Sequence, residues 1–297
     1  MTEVELKKTK QILIPNKYPT RFFAIDFFAN LYEGSHPTYQ FYGSLSDPYQ
    51  SFQPGDIIPK ENGLEVIQKE LLFVSQKNLI GFYQNPDPYN DSEKETLSMK
   101  RALEVIRVTD LGVFIETTSN LILRDLSILQ EIAQKSPVVI AIPIGNTIDT
   151  IQERFEGKGY VNYHNRIKLL HKLKDAGLVA GVIMKPMIPY VNDTPENILQ
   201  IVEDVSLAGG DFIYPSFVLA LDESQRNAFY HLLDEYFPGL KNVFTDKYGS
   251  KKTWTSAKLA SLKKEFVFEC KKRKIAFGMK DITNLYKPSS TEQFRLF

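Results

Sequence analysis

Two charged residues stand at the ends of apolar strand patterns, where a side chain could take part in chemistry. Lys185 follows the apolar run 182–184, and Glu116 follows the run 113–115. A lysine that is removed from water can form a Schiff base with a carbonyl substrate. Lys185 could equally bind a phosphate or a carboxylate, or form an ion pair with Glu116. We favour the ion pair, because buried charges are usually paired.

Further polar residues lie in predicted loops close to these two and are candidate ligand-binding residues: Asp87, Tyr89, Asn192 and Asp193. Asp-Pro and Asn-Asp pairs are also common in turns, and the turn interpretation is slightly favoured. The histidines show no metal-ligand spacing, since His164 and His171 are two helical turns apart. We therefore predict no metal site.

These residues must be positioned by alternating strands and helices, which predict parallel βα units. The predicted strands are 79–82, 113–115, 138–142, 179–184 and 212–217. The predicted helices are 64–74, one from a capping box at 92–95 through Ile106, then 123–133, 163–175, one from Thr194 to Gly209, 224–236 and 256–273. About six units fit, which is fewer than the eight of a closed TIM barrel. We predict an α/β fold with an incomplete TIM-type barrel, and an open doubly wound sheet is the alternative.

The chain is expected to form one structural domain with three parts. These are an N-terminal segment at 1–59, the partial barrel at 60–245 and a C-terminal helical extension at 246–297. In either fold the functional face is the carboxyl end of the strands.

Charge balance, apolar runs and cysteine content indicate what class of protein this is. The 297 residues include 36 Lys and Arg against 36 Asp and Glu, so no net charge attracts the whole molecule to nucleic acid or to a membrane. The sequence shows neither a secretory signal nor a membrane-length apolar run, which predicts a cytoplasmic protein. The single cysteine, Cys270, falls on the apolar face of the last long helix and is predicted to be buried and unreactive.

Several segments resemble, in the same order, motifs of one family. Residues 81–89 resemble its Thr-Asp-Pro-Tyr-Gln-Pro turn, 117–125 its Thr-Lys-Ser-Pro-Leu-Ile-Leu-Arg-Asp element, and 186–193 its Pro-Ile-Ile-Pro-x-x-Asn-Asp element. The ordered set extends from about Tyr18 to Lys274 and resembles the radical S-adenosylmethionine (SAM) subgroup that contains spore photoproduct lyase. The resemblance implies a partial barrel, a [4Fe–4S] cluster and SAM as cosubstrate.

The departure from the family lies in the cluster loop. The family has Cys-x3-Cys-x2-Cys followed by Tyr-Ala or Phe-Ala. Aligning on residues 28–29 places Thr20, Ala24 and Phe27 at the cysteine positions. A second register gives Arg21, Ile25 and Phe28. Neither register contains the thiolates that an iron–sulfur cluster needs, so we expect no cluster and no cofactor.

The N-terminal region is rich in aromatic residues, with Phe22, Phe23, Phe27, Phe28, Tyr32, Tyr39, Phe41 and Tyr42. Rings that fill the space of a lost cluster are the favoured interpretation, and a stacking platform for a flat ligand is the alternative.

The C-terminal third carries a basic bias, and its candidate nucleic-acid-binding residues are Lys251, Lys252, Lys263, Lys264, Lys271, Lys272 and Arg273. A solvated helix face is the default interpretation. Because the resemblance is to a DNA-repair enzyme, DNA or RNA binding is the alternative.

The leading functional hypothesis is a radical-SAM-like protein that has lost its cluster and acts by binding or regulation, on nucleic acid or a protein partner. The alternatives are an enzyme with cluster-independent chemistry at Lys185 and Glu116, and a cluster-free binder of SAM or a nucleotide.

Overall fold

The computed structural model describes residues 8–35, 55–75, 77–82, 86–157 and 160–287. Within these ranges the strands are β1 (Leu13–Pro15), β2 (Phe27–Ala29), β3 (Tyr32–Ser35), β4 (Gly55–Pro59), β5 (Leu79–Phe82), β6 (Gly112–Glu116), β7 (Val138–Pro143), β8 (Val179–Met184), β9 (Phe212–Pro215), β10 (Val218–Ala220) and β11 (Thr253–Thr255). The helices are α1 (Gly63–Leu71), α2 (Glu93–Thr96), α3 (Ser98–Arg107), α4 (Leu126–Ala133), α5 (Asp149–Glu156), α6 (Tyr163–Asp175), α7 (Pro195–Leu207), α8 (Glu223–Tyr236), α9 (Leu240–Tyr248), α10 (Leu259–Lys272) and α11 (Met279–Asn284).

The central sheet has the order β1-β2-β5-β6-β7-β8-β9. The six strands from β2 to β9 are parallel neighbours, and β1 is antiparallel to β2 at the edge. A doubly wound sheet reverses its strand order at a switch point. This order follows the chain without a reversal, so the partial barrel is confirmed.

The two faces of the sheet bury different sets of side chains, because successive residues of a strand point to opposite sides. One face packs against the helices and includes Ile80, Val113, Ile115, Ile140 and Val182. The other face forms the inside of the barrel and includes Leu79, Phe114, Ala141, Ile183 and Phe212. This second cluster also contains Phe22 and Phe23 from the segment before β2, and Ile282 from α11.

The predicted helix at 92–106 is wrong in one respect, because it is split into α2 and α3 at Leu97. Leu97 has a φ of 54°, which is left-handed backbone that ends α2. The Glu93 carboxylate accepts hydrogen bonds from the backbone N–H groups of Met99 and Lys100, at 2.8 and 3.2 Å. Glu93 therefore satisfies the first turn of α3. The predicted capping box of Ser92 does not form, since its hydroxyl donates to the Ile57 carbonyl.

The C-terminal elements pack onto the barrel. Helix α10 lies against α7, and β11 pairs with β10. After α10 the chain returns to the sheet, where the Ile213 N–H donates to the Ala276 carbonyl. Residue 276 therefore continues the sheet beyond β9. Within the described ranges, none of the helices is long and apolar enough to cross a membrane.

Candidate functional site: the carboxyl edge of the partial barrel

Glu116 and Lys185 meet inside the carboxyl edge. Glu116 is the last residue of β6 and lies two residues beyond Phe114, on the inner face of the sheet. Lys185 follows β8, and its Nζ lies 2.7 Å from Glu116 Oε1. Both side chains are buried. The pair therefore places one positive and one negative charge at the mouth of the barrel, out of bulk water.

The rings below this pair fill the barrel from its amino side. Phe23 has ring centroids at 4.7 Å from Phe114, 5.5 Å from Phe212 and 5.5 Å from Tyr214. Phe22 makes edge contacts with Phe23 and Tyr214. Aromatic pairs at such distances add to the stability gained by burying the rings. Phe22 and Phe23 are thus interior packing residues. Tyr39, Phe41 and Tyr42 lie outside the described residues.

Asp87 joins two neighbouring loops at the same edge. Its Oδ1 accepts hydrogen bonds from the Tyr89 N–H at 2.8 Å and the Thr117 hydroxyl at 2.6 Å. Its Oδ2 accepts one from the Thr118 N–H at 3.0 Å. Burial raises the pKa of the Asp87 carboxyl, against the lowering effect of these hydrogen bonds. Asp87 acts in the structure as a link between the loops that follow β5 and β6, and Tyr89 is buried beside it.

Asn192 and Asp193 lie in the loop after β8. Asn192 accepts a hydrogen bond from the Ile188 N–H at 2.6 Å and donates to the carbonyls of Gly145 and Pro186, both at 2.8 Å. Asp193 is 8% exposed. Asn192 therefore connects the loops after β7 and β8 and uses its amide group on backbone partners.

Asn197 completes this connection and was missed by the sequence analysis. It donates to the carbonyls of Gly145 and Asn192, both at 3.0 Å, and accepts from the Thr147 N–H at 2.9 Å. The predicted cap at Thr194 is present, with Pro195 beginning α7. That cap was the only sequence signal near Asn197, and it did not reveal the contact across 50 residues to Thr147.

A second missed group is the buried pair of Arg166 and Glu156. Arg166 is 1% exposed and donates to Glu156, to the Pro143 carbonyl at 2.8 Å and to the Val161 carbonyl at 2.7 Å. Burial raises the pKa of Glu156, and the guanidinium opposes that effect. Arg166 thereby links the ends of β7, α5 and α6.

The half-buried Arg124 and the buried Asp125 form a third group, in the segment that resembles the family's Leu-Ile-Leu-Arg-Asp element. Arg124 binds both carboxylate oxygens of Asp125 at 2.8 Å and reaches Glu93 Oε1 at 2.6 Å. Glu93 also accepts a hydrogen bond from the Tyr32 hydroxyl. Burial and the Asp125 carboxylate raise the pKa of Tyr89 well above its usual value. This motif therefore links the segment before α4 to α2.

The positions proposed for the lost cysteines lie at the other edge of the sheet. Thr20 is in a short 3-10 helix at Pro19–Arg21, Ala24 is in the following turn and Phe27 begins β2. All three thus precede or open the first parallel strand, whereas sites in such folds follow the strands. The loop that follows β2 begins at residue 30 and runs in part outside the described residues. This loop contains no cysteine, because Cys270 is the only cysteine in the chain.

Cys270 is buried in α10, and burial raises the pKa of its thiol to about 12. Iron–sulfur clusters need deprotonated thiolates. Among the residues that the structure describes, no group of three His, Cys, Asp or Glu side chains could hold a metal ion.

The basic candidates divide into two sets. Lys251 and Lys252 are exposed beside β11. The α10 residues Lys263, Lys264, Lys271 and Lys272 are exposed, and Arg273 is half-buried. Glu269 forms ion pairs with Lys272 and Arg273. The structure thus brings the α10 lysines together on one helix, with part of their charge neutralised.

Known proteins resemble this chain in sequence and in fold. No family model matches the chain. Uncharacterised proteins of Mycobacterium bovis and Mycobacterium tuberculosis are each 26% identical to it over 226 residues, which are 74% of this chain and 66% of theirs. A cysteine mutant of spore photoproduct lyase superposes with a TM-score of 0.64 at 12% identity, covering 90% of this chain and 78% of that one. Spore photoproduct lyase complexed with a dinucleoside spore photoproduct gives a TM-score of 0.62 at 13% identity, with the same coverage.

The chain has a radical SAM-like fold. This confirms the resemblance drawn from the ordered motifs. The residues present do not fit the inorganic group that the fold implies. One buried thiol in α10 cannot supply three thiolates at the carboxyl edge.

Proposed function

We propose that this protein uses a radical SAM-like fold without radical SAM chemistry, and that it acts by binding. One observation carries the proposal: the only cysteine is buried in α10, outside the barrel interior. The polar side chains that would face a cosubstrate are instead engaged within the protein. Asp87 and Asn192 use their polar atoms on neighbouring loops.

The test is the reductive cleavage of SAM. The full chain, reconstituted anaerobically with iron and sulfide and then reduced, is expected to produce no 5′-deoxyadenosine above a protein-free blank. Cys270→Ala is the matched control, because it removes the last thiol. Production of 5′-deoxyadenosine that depends on the wild-type protein would refute the proposal.

The surface that best supports a binding role is the outer face of α10. Phe268 is 65% exposed, and Lys264, Lys271 and Lys272 lie three or four residues from it along the helix. Residues at these spacings share one face of a helix. An exposed ring among lysines is typical of nucleic-acid binding, since bases stack on the ring and the lysines bind phosphates.

Nucleic acid is therefore the ligand class that we propose for this face. A solved neighbour of the same fold is complexed with a dinucleoside spore photoproduct, which supports the same class. Glu265 and Glu269 lie on the same helix and reduce its net charge. The proposal accordingly predicts weak binding that depends strongly on salt.

Fluorescence anisotropy with labelled single-stranded and duplex DNA tests this surface. We expect binding at low salt that weakens as salt rises, and a further loss in Lys264→Glu/Lys271→Glu. The matched control is Lys251→Glu/Lys252→Glu, which changes the same charge beside β11 and should retain most of the affinity. Absence of binding at low salt, or an equal loss in both double variants, would contradict the role of α10.

Cluster-independent chemistry at Lys185 is the second candidate, and the observation that favours it is the burial of Lys185 at the mouth. Lys185 Nζ lies 2.7 Å from Glu116 Oε1, so the nitrogen that would attack a carbonyl is already engaged in an ion pair. We therefore expect borohydride to trap no adduct with carbonyl substrates. An adduct in the wild type that is absent in Lys185→Arg would establish the enzyme instead.

A further inference from the structure

An apolar groove lies on the outside of the barrel between α1 and α3. Its volume is about 720 Å³, and its apolar lining includes Leu64, Leu72, Val105 and Val108. Leu72 is 82% exposed and Val108 is 77% exposed, and Phe73, next to Leu72, is 88% exposed. Large apolar side chains that are exposed together mark an interaction surface.

The groove also carries two acids and two bases. Glu65 and Lys69 stand on α1, and Arg101 and Glu104 stand on α3. Among the described residues none of these four forms an ion pair within the chain. The groove lining therefore has no net charge, and its four charged side chains lack an ion-pair partner among the described residues.

The order of these charges matches a second copy of the same surface. Along α1 the acid precedes the base, and along α3 the base precedes the acid. When α1 of two copies meets in antiparallel orientation, Glu65 of each copy faces Lys69 of the other. The α3 helices give the same match between Arg101 and Glu104. A two-fold interface requires a surface that is complementary to itself in this way.

We propose that a second copy of this chain binds at the groove and forms a two-fold dimer. The antiparallel arrangement also brings the exposed Leu72 of one copy towards the half-buried Leu64 of the other. Leu72 and Val108 lie in loops that lead into β5 and β6, at the amino edge of the sheet. The carboxyl edge of each protomer therefore lies away from the proposed interface.

Sedimentation velocity of the full chain over a range of micromolar concentrations tests the dimer. We expect a concentration-dependent dimer, and Val108→Lys should raise its dissociation constant ~10-fold or more, because a charge replaces an exposed apolar side chain that lines the groove. Leu207→Lys is the matched control, since Leu207 is also 77% exposed and lies at the end of another helix. Circular dichroism checks that both variants are folded.

A charge exchange tests the orientation. Glu65→Lys alone should weaken the dimer, and Glu65→Lys with Lys69→Glu should restore it. The proposal is overturned by a wild-type monomer at all concentrations, by a dimer that is indifferent to Val108→Lys, or by an equal effect of Leu207→Lys. Failure of the double exchange to restore what the single one weakens would overturn the antiparallel contact.

Discussion

The two ends of the parallel sheet are filled in different ways. Towards the amino end, the interior is closed by rings such as Phe22 and Phe23, which pack on Phe114 and Tyr214. At the carboxyl end, charged and amide side chains bind one another or the backbone, as Glu116 does with Lys185. The comparison shows that motif residues at the carboxyl edge support neighbouring loops through hydrogen bonds and an ion pair. Such motifs therefore identify a fold more reliably than a reaction.

The interior rings give the largest expected effect. Phe23→Ala should lower the free energy of unfolding by about 3–5 kcal/mol, because a buried ring is replaced by a cavity. Phe268→Ala is the matched control: this ring is 65% exposed, and its loss should change stability by less than about 0.5 kcal/mol. Urea denaturation measures both. Similar losses in the two variants would show that Phe23 is not an interior packing residue.

Breaking the ion pair at the carboxyl edge should lower the free energy of unfolding nearly as much as Phe23→Ala. Lys185→Met leaves the Glu116 carboxylate buried without its partner, and we expect a loss of about 3–5 kcal/mol. Lys185→Met with Glu116→Leu removes both charges and should cost less than the single change. Urea denaturation of the single and the double variant measures the two free energies of unfolding. A double variant that is less stable than the single one would mean that the pair itself contributes net stability.

Asp87 tests the loop link at the same edge, with a smaller effect. Asp87→Asn turns an amide N–H₂ towards the donor groups that now bind the carboxylate, and it should cost about 1–3 kcal/mol. Because burial raises the pKa of Asp87 above 3.8, the folded state holds the proton more tightly than the unfolded chain. The stability that this pKa shift contributes to the folded state is therefore present below pH 3.8. It is lost as pH rises through the folded pKa of Asp87.

The pH dependence of that variant is the informative readout. Asparagine does not titrate, so the stability difference between wild type and Asp87→Asn should be largest in acid and should shrink as pH rises. Urea denaturation across a pH series gives the difference. A difference that grows with pH would mean that the three hydrogen bonds outweigh burial and lower the pKa of Asp87.

The smallest effect is expected on α10. Lys264→Glu should change the free energy of unfolding by less than about 0.5 kcal/mol, since it replaces an exposed side chain. Thermal denaturation checks this. A loss of several kcal/mol would give Lys264 a structural role and would remove it from the proposed binding surface.

The fold could be predicted well because its strands are continuous apolar runs that alternate with amphipathic helical patterns. The predicted strands 79–82 and 179–184 and the helix 163–175 have the bounds of β5, β8 and α6. The split at Leu97 could not be predicted, because it depends on Glu93, whose side chain is held by Arg124 across 31 residues. Local patterns contain no information about such distant partners.

The candidate site was harder to predict for the same reason. Arg166 looks like a surface residue of an amphipathic helix, yet its guanidinium is buried on the Pro143 and Val161 carbonyls. The place of the lost cysteines also depends on which strand begins the barrel. The sequence offered Phe27 as the end of the cluster loop, whereas Phe27 begins the first parallel strand.

The central claim is that a radical SAM-like fold persists here without its iron–sulfur cluster, and the iron and acid-labile sulfide content tests it most directly. After anaerobic reconstitution and removal of unbound iron, the account predicts no stoichiometric iron or sulfide and no visible absorption of a cluster, in wild type and in Cys270→Ala alike. Four iron and four sulfide per chain would contradict it.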